Sequence, residues 1–211
     1  MKKLFFLIAS LATATAYGQL THFGFTGGAT ISNYKSKLDG NDESGKSKVG
    51  FTLGILANLP AGKNFIIQPA INWVQKGSKD EQTMLGVTAK ASVTINYIEV
   101  PVNFLYSNNG FFIGAGPAAS FGVSGKWKIS DGSNSTTENV KFGSSDNDDL
   151  KAFDLGINAL SGYNFKNGLF IAANYNMGLS KLDPGSTPNS SLKSRCVGIK
   201  LGYILGGNNR K

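Results

Sequence analysis

Apolar residues recur at every second position through eight stretches of the chain, and the connections between the stretches alternate short and long. The stretches fall at about 21–33, 49–59, 65–76, 93–106, 111–126, 152–165, 169–181 and 194–205. In the second, Val49, Phe51, Leu53, Ile55, Ala57 and Leu59 share one face, while Gly50, Thr52, Gly54, Leu56 and Asn58 share the other. A period of two is the signature of a β-strand with unlike faces. The third sets Phe65, Ile67, Ile71 and Trp73 against Gln68, Asn72 and Lys76. The seventh sets Leu169, Ile171, Tyr175, Met177 and Leu179 against Asn174, Asn176, Gly178 and Ser180, and the last aligns Val197, Ile199, Leu201, Tyr203 and Leu205.

Alternation alone does not say which face is outside, because a soluble lipocalin-like ligand-binding barrel also alternates, with its apolar face inward. The second face decides. An outward face in water would carry many Lys, Glu and Asp, whereas here it is mainly Gly, Ser, Thr and Asn with few charges, among them Lys76, Glu99, Asp154 and Lys200. Small polar residues suit the interior of an eight-stranded barrel, which side chains just fill. The apolar face therefore meets lipid, where a charge costs about 2–4 kcal/mol near the midplane. The expected fold is all-β, a single eight-stranded antiparallel up-and-down transmembrane β-barrel.

The connections fit this reading. Pro60–Asn64, Ser107–Gly110 and Lys166–Gly168 are tight hairpin signals and would be periplasmic turns. The segments near 34–48, 77–92, 127–151 and 182–193 are longer and polar, and would be extracellular loops. Aromatic residues gather at strand ends: Phe23, Phe65, Tyr106, Phe111, Phe165 and Tyr203 at the short-turn end, Trp73, Trp127 and Phe153 at the other. Rings in these places form the girdles that mark both membrane interfaces.

Two features strain the pattern. Pro69, Pro101 and Pro117 fall inside strands of a barrel that has no free edge, so bulges or strand ends are expected there. In the fourth stretch Val93, Ile95 and Tyr97 favour odd positions outward, while Val100, Val102 and Phe104 favour even ones. A bulge near Ile98 to Pro101 would reconcile the halves by moving the register one residue.

Ahead of the strands, Lys2 and Lys3 precede an apolar run from Leu4 to Leu11 and the small residues Ala14–Gly18. This is the pattern of a cleavable export signal and is too short for a membrane-spanning helix. Residues 1–18 are expected to be a signal peptide and 19–211 the barrel domain, placed in the outer membrane of a Gram-negative envelope. The formal charge of +8 becomes a moderate excess of cations once the two leader lysines are removed. Such an excess attracts anionic lipid or an acidic partner, and nucleic acid is excluded for an exported chain. Cys196 is the only cysteine, so no intrachain disulfide forms and the thiol reads as a small packed side chain.

Phe23–Gly28, Phe65–Pro69, Tyr97–Pro101, Gly114–Pro117 and Tyr175–Ser180 carry a resemblance to the PorT-type outer-membrane β-barrel family common in Bacteroidetes, over nearly the whole mature chain. The resemblance implies an eight-stranded outer-membrane barrel. It also implies an association with protein secretion across the outer membrane, hence envelope or secretion-complex proteins as partners. Such barrels often end on an aromatic residue, whereas here Tyr203 is followed by a polar tail to Lys211.

Candidate chemistry is sparse. Gly114–Ala119 superficially matches a dinucleotide fingerprint, but alternation runs through it without the strand–turn–helix context the motif needs. His22 is the only histidine and no nucleophile is paired with a base, so the chain is not read as an enzyme and no cofactor is expected. Asp39–Glu43 and Asp146–Asp149 are acidic but lack the full pattern of a calcium loop and read as solvated turns, with no metal site. Asn134–Thr136 and Asn189–Ser191 match glycosylation sequons that are common by chance. That leaves the lumen charges. Glu99, Asp154, Lys200 and Lys76 face inward on parity and, being buried, must pair; a Glu99–Lys200 or Asp154–Lys200 contact is expected, forming an internal plug rather than an ion path.

The expected role is structural or interactive, with the loops or periplasmic rim binding another envelope component and the barrel monomeric in lipid. A small passive pore, a surface-binding adhesin-like barrel, a lipocalin-like binder and an outer-membrane enzyme are the alternatives.

Overall fold

The computed structural model describes residues 21–38, 41–84, 87–131, 134–145, 147–184 and 191–206. The expected signal peptide and the polar tail from Gly207 lie outside the described residues.

Ten strands occur in chain order: β1 (His22–Leu38), β2 (Asn41–Ser44), β3 (Lys46–Pro60), β4 (Phe65–Met84), β5 (Val87–Asn108), β6 (Phe111–Asp131), β7 (Asn134–Asn139), β8 (Phe153–Asn164), β9 (Leu169–Gly178) and β10 (Ser191–Ile204). Eight of them form an antiparallel ring in the order β1–β3–β4–β5–β6–β8–β9–β10, closed by pairing of β10 with β1 from Gly24↔Ile204 to Lys37↔Ser191. The remaining two are short flaps, β2 on β1 and β7 on β6. Closure satisfies every strand edge within the ring, which is what lets a sheet cross lipid.

Odd-numbered residues of β1, β8, β9 and β10 point outward and even-numbered ones inward. The outer face exposes Phe25, Ile31, Leu53, Ile55, Ile71, Ile157, Ile171, Val197, Ile199 and Leu201 among others. So many large apolar side chains on one continuous outer surface are stable only against lipid.

The fourth ring strand departs from expectation. Odd positions of β5 face inward from Val93 onward: Val93, Ile95, Tyr97, Glu99, Asn103, Leu105 and Ser107 are all buried. No bulge interrupts it near Ile98–Pro101. The register change lies instead between Asn96 and Tyr97 on the β6 side, where Ser124 and Gly122 are the partners and Val123 is the extra residue. Val93, Ile95 and Tyr97 are apolar yet inward because they belong to a cap that closes the barrel mouth.

The prolines also sit differently from expectation. Pro69 pairs with Val102, Pro101 with Ala118 and Pro117 with Ile157, each toward the following strand of the ring. Toward the preceding strand each ladder skips two rungs and resumes in the same register. An antiparallel residue directs its N–H to one neighbour only, so a proline forfeits a single bond without shifting the strand.

A true bulge occurs in β3, between Ser47 and Thr52 against β4. There β1 reaches past β3: the Thr30 hydroxyl donates to the Gln75 carbonyl at 3.0 Å, and Ser32 Oγ accepts from the Gly77 N–H at 2.8 Å. Gly50 makes this approach feasible, since a Cβ at that position would lie 2.5 Å from the Gln75 oxygen and 2.9 Å from Thr30 Oγ1.

The polar segments 34–48 and 77–92, expected as loops, are largely strand, and so is the first part of 127–151 up to Asn139. β4 and β5 run on as a hairpin to Met84 and Val87, and β6 continues to Asp131. Hydropathy reports lipid contact, so it marks where a strand leaves the membrane and not where it ends. Only 140–152 and 179–184 form an irregular cap among the described residues of the long connections.

Candidate functional site

The interior is layered along the barrel axis. At the short-turn end Leu56, Ile66, Ala70, Leu105, Phe112, Phe170, Ala172 and Ile204 form an apolar plug, with Phe112 and Phe170 edge to face at 6.5 Å. Above it runs a chain of amides: Asn174 Nδ2 donates to Asn158 Oδ1 at 3.2 Å, and Asn158 Nδ2 donates to Asn103 Oδ1 at 2.9 Å. These side chains, with Thr26, Gln68 and Lys200, line a cavity of about 30 Å3, room for a water or two.

The charged layer follows. Lys76 Nζ lies 3.0 Å from Glu99 Oε2, with both side chains almost wholly buried. The ammonium also donates to Asn176 Oδ1 at 3.3 Å and stands 5.2 Å from the centre of the Tyr97 ring. Glu99 accepts from Ser120 Oγ at 3.2 Å. Asp154 accepts from Ser194 Oγ at 2.6 Å, and its other oxygen has no protein partner. The four expected residues thus share the lumen, but the ion pair is Lys76–Glu99. Neither expected contact of Lys200 forms: it lies a layer lower, against the cavity. Parity places residues on the inner face but does not give their height, which depends on the stagger of all eight strands.

Tyr34 and Tyr97 close this layer, their hydroxyls 3.3 Å apart. Above them Val93, Ile95, Val140, Leu150 and Leu182 complete a second apolar cluster, flanked by Trp127, Phe142 and Leu192. Leu150 and Leu182 are tied down by the neighbouring bond from Lys151 N–H to the Leu182 carbonyl, 2.8 Å. The lumen is therefore filled with side chains at both ends.

Of the expected girdle, Phe23, Phe65, Tyr106, Phe111 and Phe165 are exposed on the outer face at the short-turn end. Phe65 and Tyr106 meet edge to face at 5.7 Å, and Tyr203 packs on Phe25 at 5.9 Å. Trp73 and Phe153 face outward at the other end. Trp127 does not: it lies beyond the β6 bulge, where inward and outward exchange, and packs on the inner cap. From Phe65 to Trp73 is about 27 Å along the strand, or about 21 Å across the bilayer at a tilt near 40°.

Asp148 accepts from the Ser145 N–H and Asp149 from the Lys141 N–H, so both carboxylates build the turn between β7 and β8. Asp39 and Gly40 lie outside the described residues. Gly114–Ala119 is internal to β6. Sequence reasoning did not single out the tyrosine pair or the amide chain; the inward parity of Asn103, Asn158 and Asn174 is the signal that would have found the latter.

A family model described as outer membrane protein beta-barrel domain matches residues 17–183. The chain belongs to this outer-membrane β-barrel family. Its location is the outer membrane, as the apolar outer face requires. No curated protein matches the sequence. Among solved structures, this barrel is similar to Ail, the attachment invasion locus protein of Yersinia pestis, in complex with the heparin analogue sucrose octasulfate. That match has 18% identity and a TM-score of 0.50, covering 89% of this chain and 100% of that one. It is also similar to Neisserial surface protein A, at 11% identity and a TM-score of 0.44 over 85% and 96% of the two chains. A third likeness is to the outer membrane protease OmpT of Escherichia coli, at 9% identity and a TM-score of 0.41 over 88% and 96%.

Proposed function

We propose that this family member is a non-conducting, non-enzymatic interaction barrel, which binds another component of the envelope through its long-loop end. The observation that supports the reading is the filling of the lumen: an apolar cluster at each end with the amide and ion-pair layers between them, around a cavity of about 30 Å3. Function then falls to surfaces outside lipid. One of these is the β-structured rim made by the extensions of β4, β5 and β6 with β7. The resemblance to PorT-type barrels supports a secretion-complex protein as the partner.

Replacing residues 79–90 by a two-residue turn would remove the rim hairpin and leave the lipid-spanning strands whole. Wild type and truncated protein, tagged and extracted gently from outer membranes, are expected to differ in one stoichiometric set of co-purifying envelope proteins, lost on truncation. Identical sets, or an untruncated barrel that emerges alone, would overturn the reading.

A further inference from the structure

The outer face of β3 to β6 can be followed in rows through the strand register. Trp73, Ile98 and Phe121 align as an apolar row on β4, β5 and β6, and on β3 the exposed Phe51 and Val49 continue the apolar face above it. One step above, Gln75 Nε2 donates to Asn96 Oδ1 at 3.3 Å, and Asn96 Nδ2 donates to Ser124 Oγ at 2.9 Å. The next row aligns Gly77, Thr94 and Lys126; Lys48 crosses over Gly77, and its ammonium donates to the Thr94 hydroxyl. Then come Lys46, Lys79, Ser92 and Lys128 in one line, and above them Glu81 opposite Lys90.

Lys46 and Lys79 are direct cross-strand partners, an arrangement that like charges make unfavourable unless an anion lies between them. The single carboxylate on these rows, Glu81, is engaged by Lys46 at 2.9 Å and Lys90 at 4.0 Å. No ion pair among the described residues engages Lys48, Lys79, Lys126 or Lys128. The surface thus presents unneutralised cations next to the membrane, with a row of amide and hydroxyl groups beneath them.

Height places the ligand among the headgroups. Successive rows are about 7 Å apart along a strand and about 5 Å along the bilayer normal. Strand by strand, the two lysine rows therefore stand about 10 and 15 Å above the Trp73 row, at or beyond an interfacial layer about 5–7 Å thick, where a headgroup that projects past its own phosphate would meet them. Three strand spacings separate Lys46 from Lys128, about 14 Å, a width that suits a disaccharide-sized group bearing more than one phosphate.

We propose that Lys46, Lys48, Lys79, Lys126 and Lys128, above the Gln75–Asn96–Ser124 row, form a docking site for the phosphorylated sugar headgroup of an outer-leaflet glycolipid. The site requires the long-loop end to face that leaflet and is independent of any protein partner.

The test uses the barrel in nanodiscs of phosphatidylcholine alone, or with phosphatidylglycerol or diphosphorylated lipid A at matched lipid charge. Lipid A is expected to raise the thermal midpoint of the wild type more than phosphatidylglycerol does. The variant K48Q/K79Q/K126Q/K128Q is expected to lose that increment, with lipid A affinity down roughly a thousandfold. The corresponding four Lys→Arg changes should keep it, and K63Q/K166Q in the short turns should leave it unchanged. An equal midpoint shift with phosphatidylglycerol would overturn the glycolipid assignment, and an undiminished lipid A response in the Gln variant would overturn the site. Should the Gln variant fail to insert, K126Q/K128Q alone gives the same reading at reduced size.

Discussion

Lys76 on β4 and Glu99 on β5 meet at 3.0 Å in the middle of the barrel, with 1% and 3% of their side chains exposed. Two opposite charges so placed hold each other in a site neither could occupy alone, because removing one partner leaves the other buried and uncompensated.

Lys76→Met and Glu99→Gln should each destabilise the barrel by about 3–5 kcal/mol, and the double change to Met and Leu by much less. Urea unfolding in lipid vesicles reads the cycle. Lys200→Met should cost less than Lys76→Met, since Lys200 lines the cavity and has no ion pair among the described residues; equal costs would contradict the pairing.

Gly50→Val should cost several kcal/mol, because its side chain would fill the space through which Thr30 reaches the Gln75 carbonyl. Gly62→Ala, at a turn where nothing lies within 4 Å, carries only the strain of its φ of +139°, about 1–3 kcal/mol. Folding yields and heat-modifiable gel mobility separate the two.

Cys196 is 3% exposed and faces the lumen beside Gly198 and Ser194 on β10. It should resist maleimide in the inserted barrel and react once the chain is unfolded. In a Cys196→Ala background, a cysteine introduced at Val197 should react with a lipid-soluble thiol reagent. Rapid labelling of Cys196 in the intact barrel would contradict the inward parity of β10.

Glu81 stands on the rim beyond the membrane, where the hydrogen bond and charge of Lys46 hold its carboxyl below the usual carboxylate range. Its interaction is present above the unfolded carboxylate value near 4.3 and is lost as pH falls through the depressed value. A carboxyl NMR titration should show that midpoint move upward in Lys46→Gln and in high salt. An unchanged midpoint would remove the Lys46–Glu81 contact from the solution structure.

The eight ring strands were legible because lipid imposes period two wherever a strand crosses it, as Val49 to Leu59 shows. The same rule failed where apolar residues have another solvent. Val93, Ile95 and Tyr97 look outward by hydropathy but pack beneath Val140 and Leu182, and nothing local distinguishes lipid from an internal plug. Membership of the lumen charge set was readable from parity. The choice of Lys76 over Lys200 was not, because it follows from stagger summed over the ring. Pro69, Pro101 and Pro117 suggested bulges since sequence does not show which neighbour each missing N–H faces.

The central claim is that the barrel is filled and acts through its outer surfaces. Purified protein reconstituted into a planar bilayer tests it most directly. Discrete conductance steps should be absent under applied voltage, and should appear only when both plugs are opened together, with Phe112, Phe170, Tyr97 and Leu182 changed to Ala. Reproducible steps from the wild type would contradict the account.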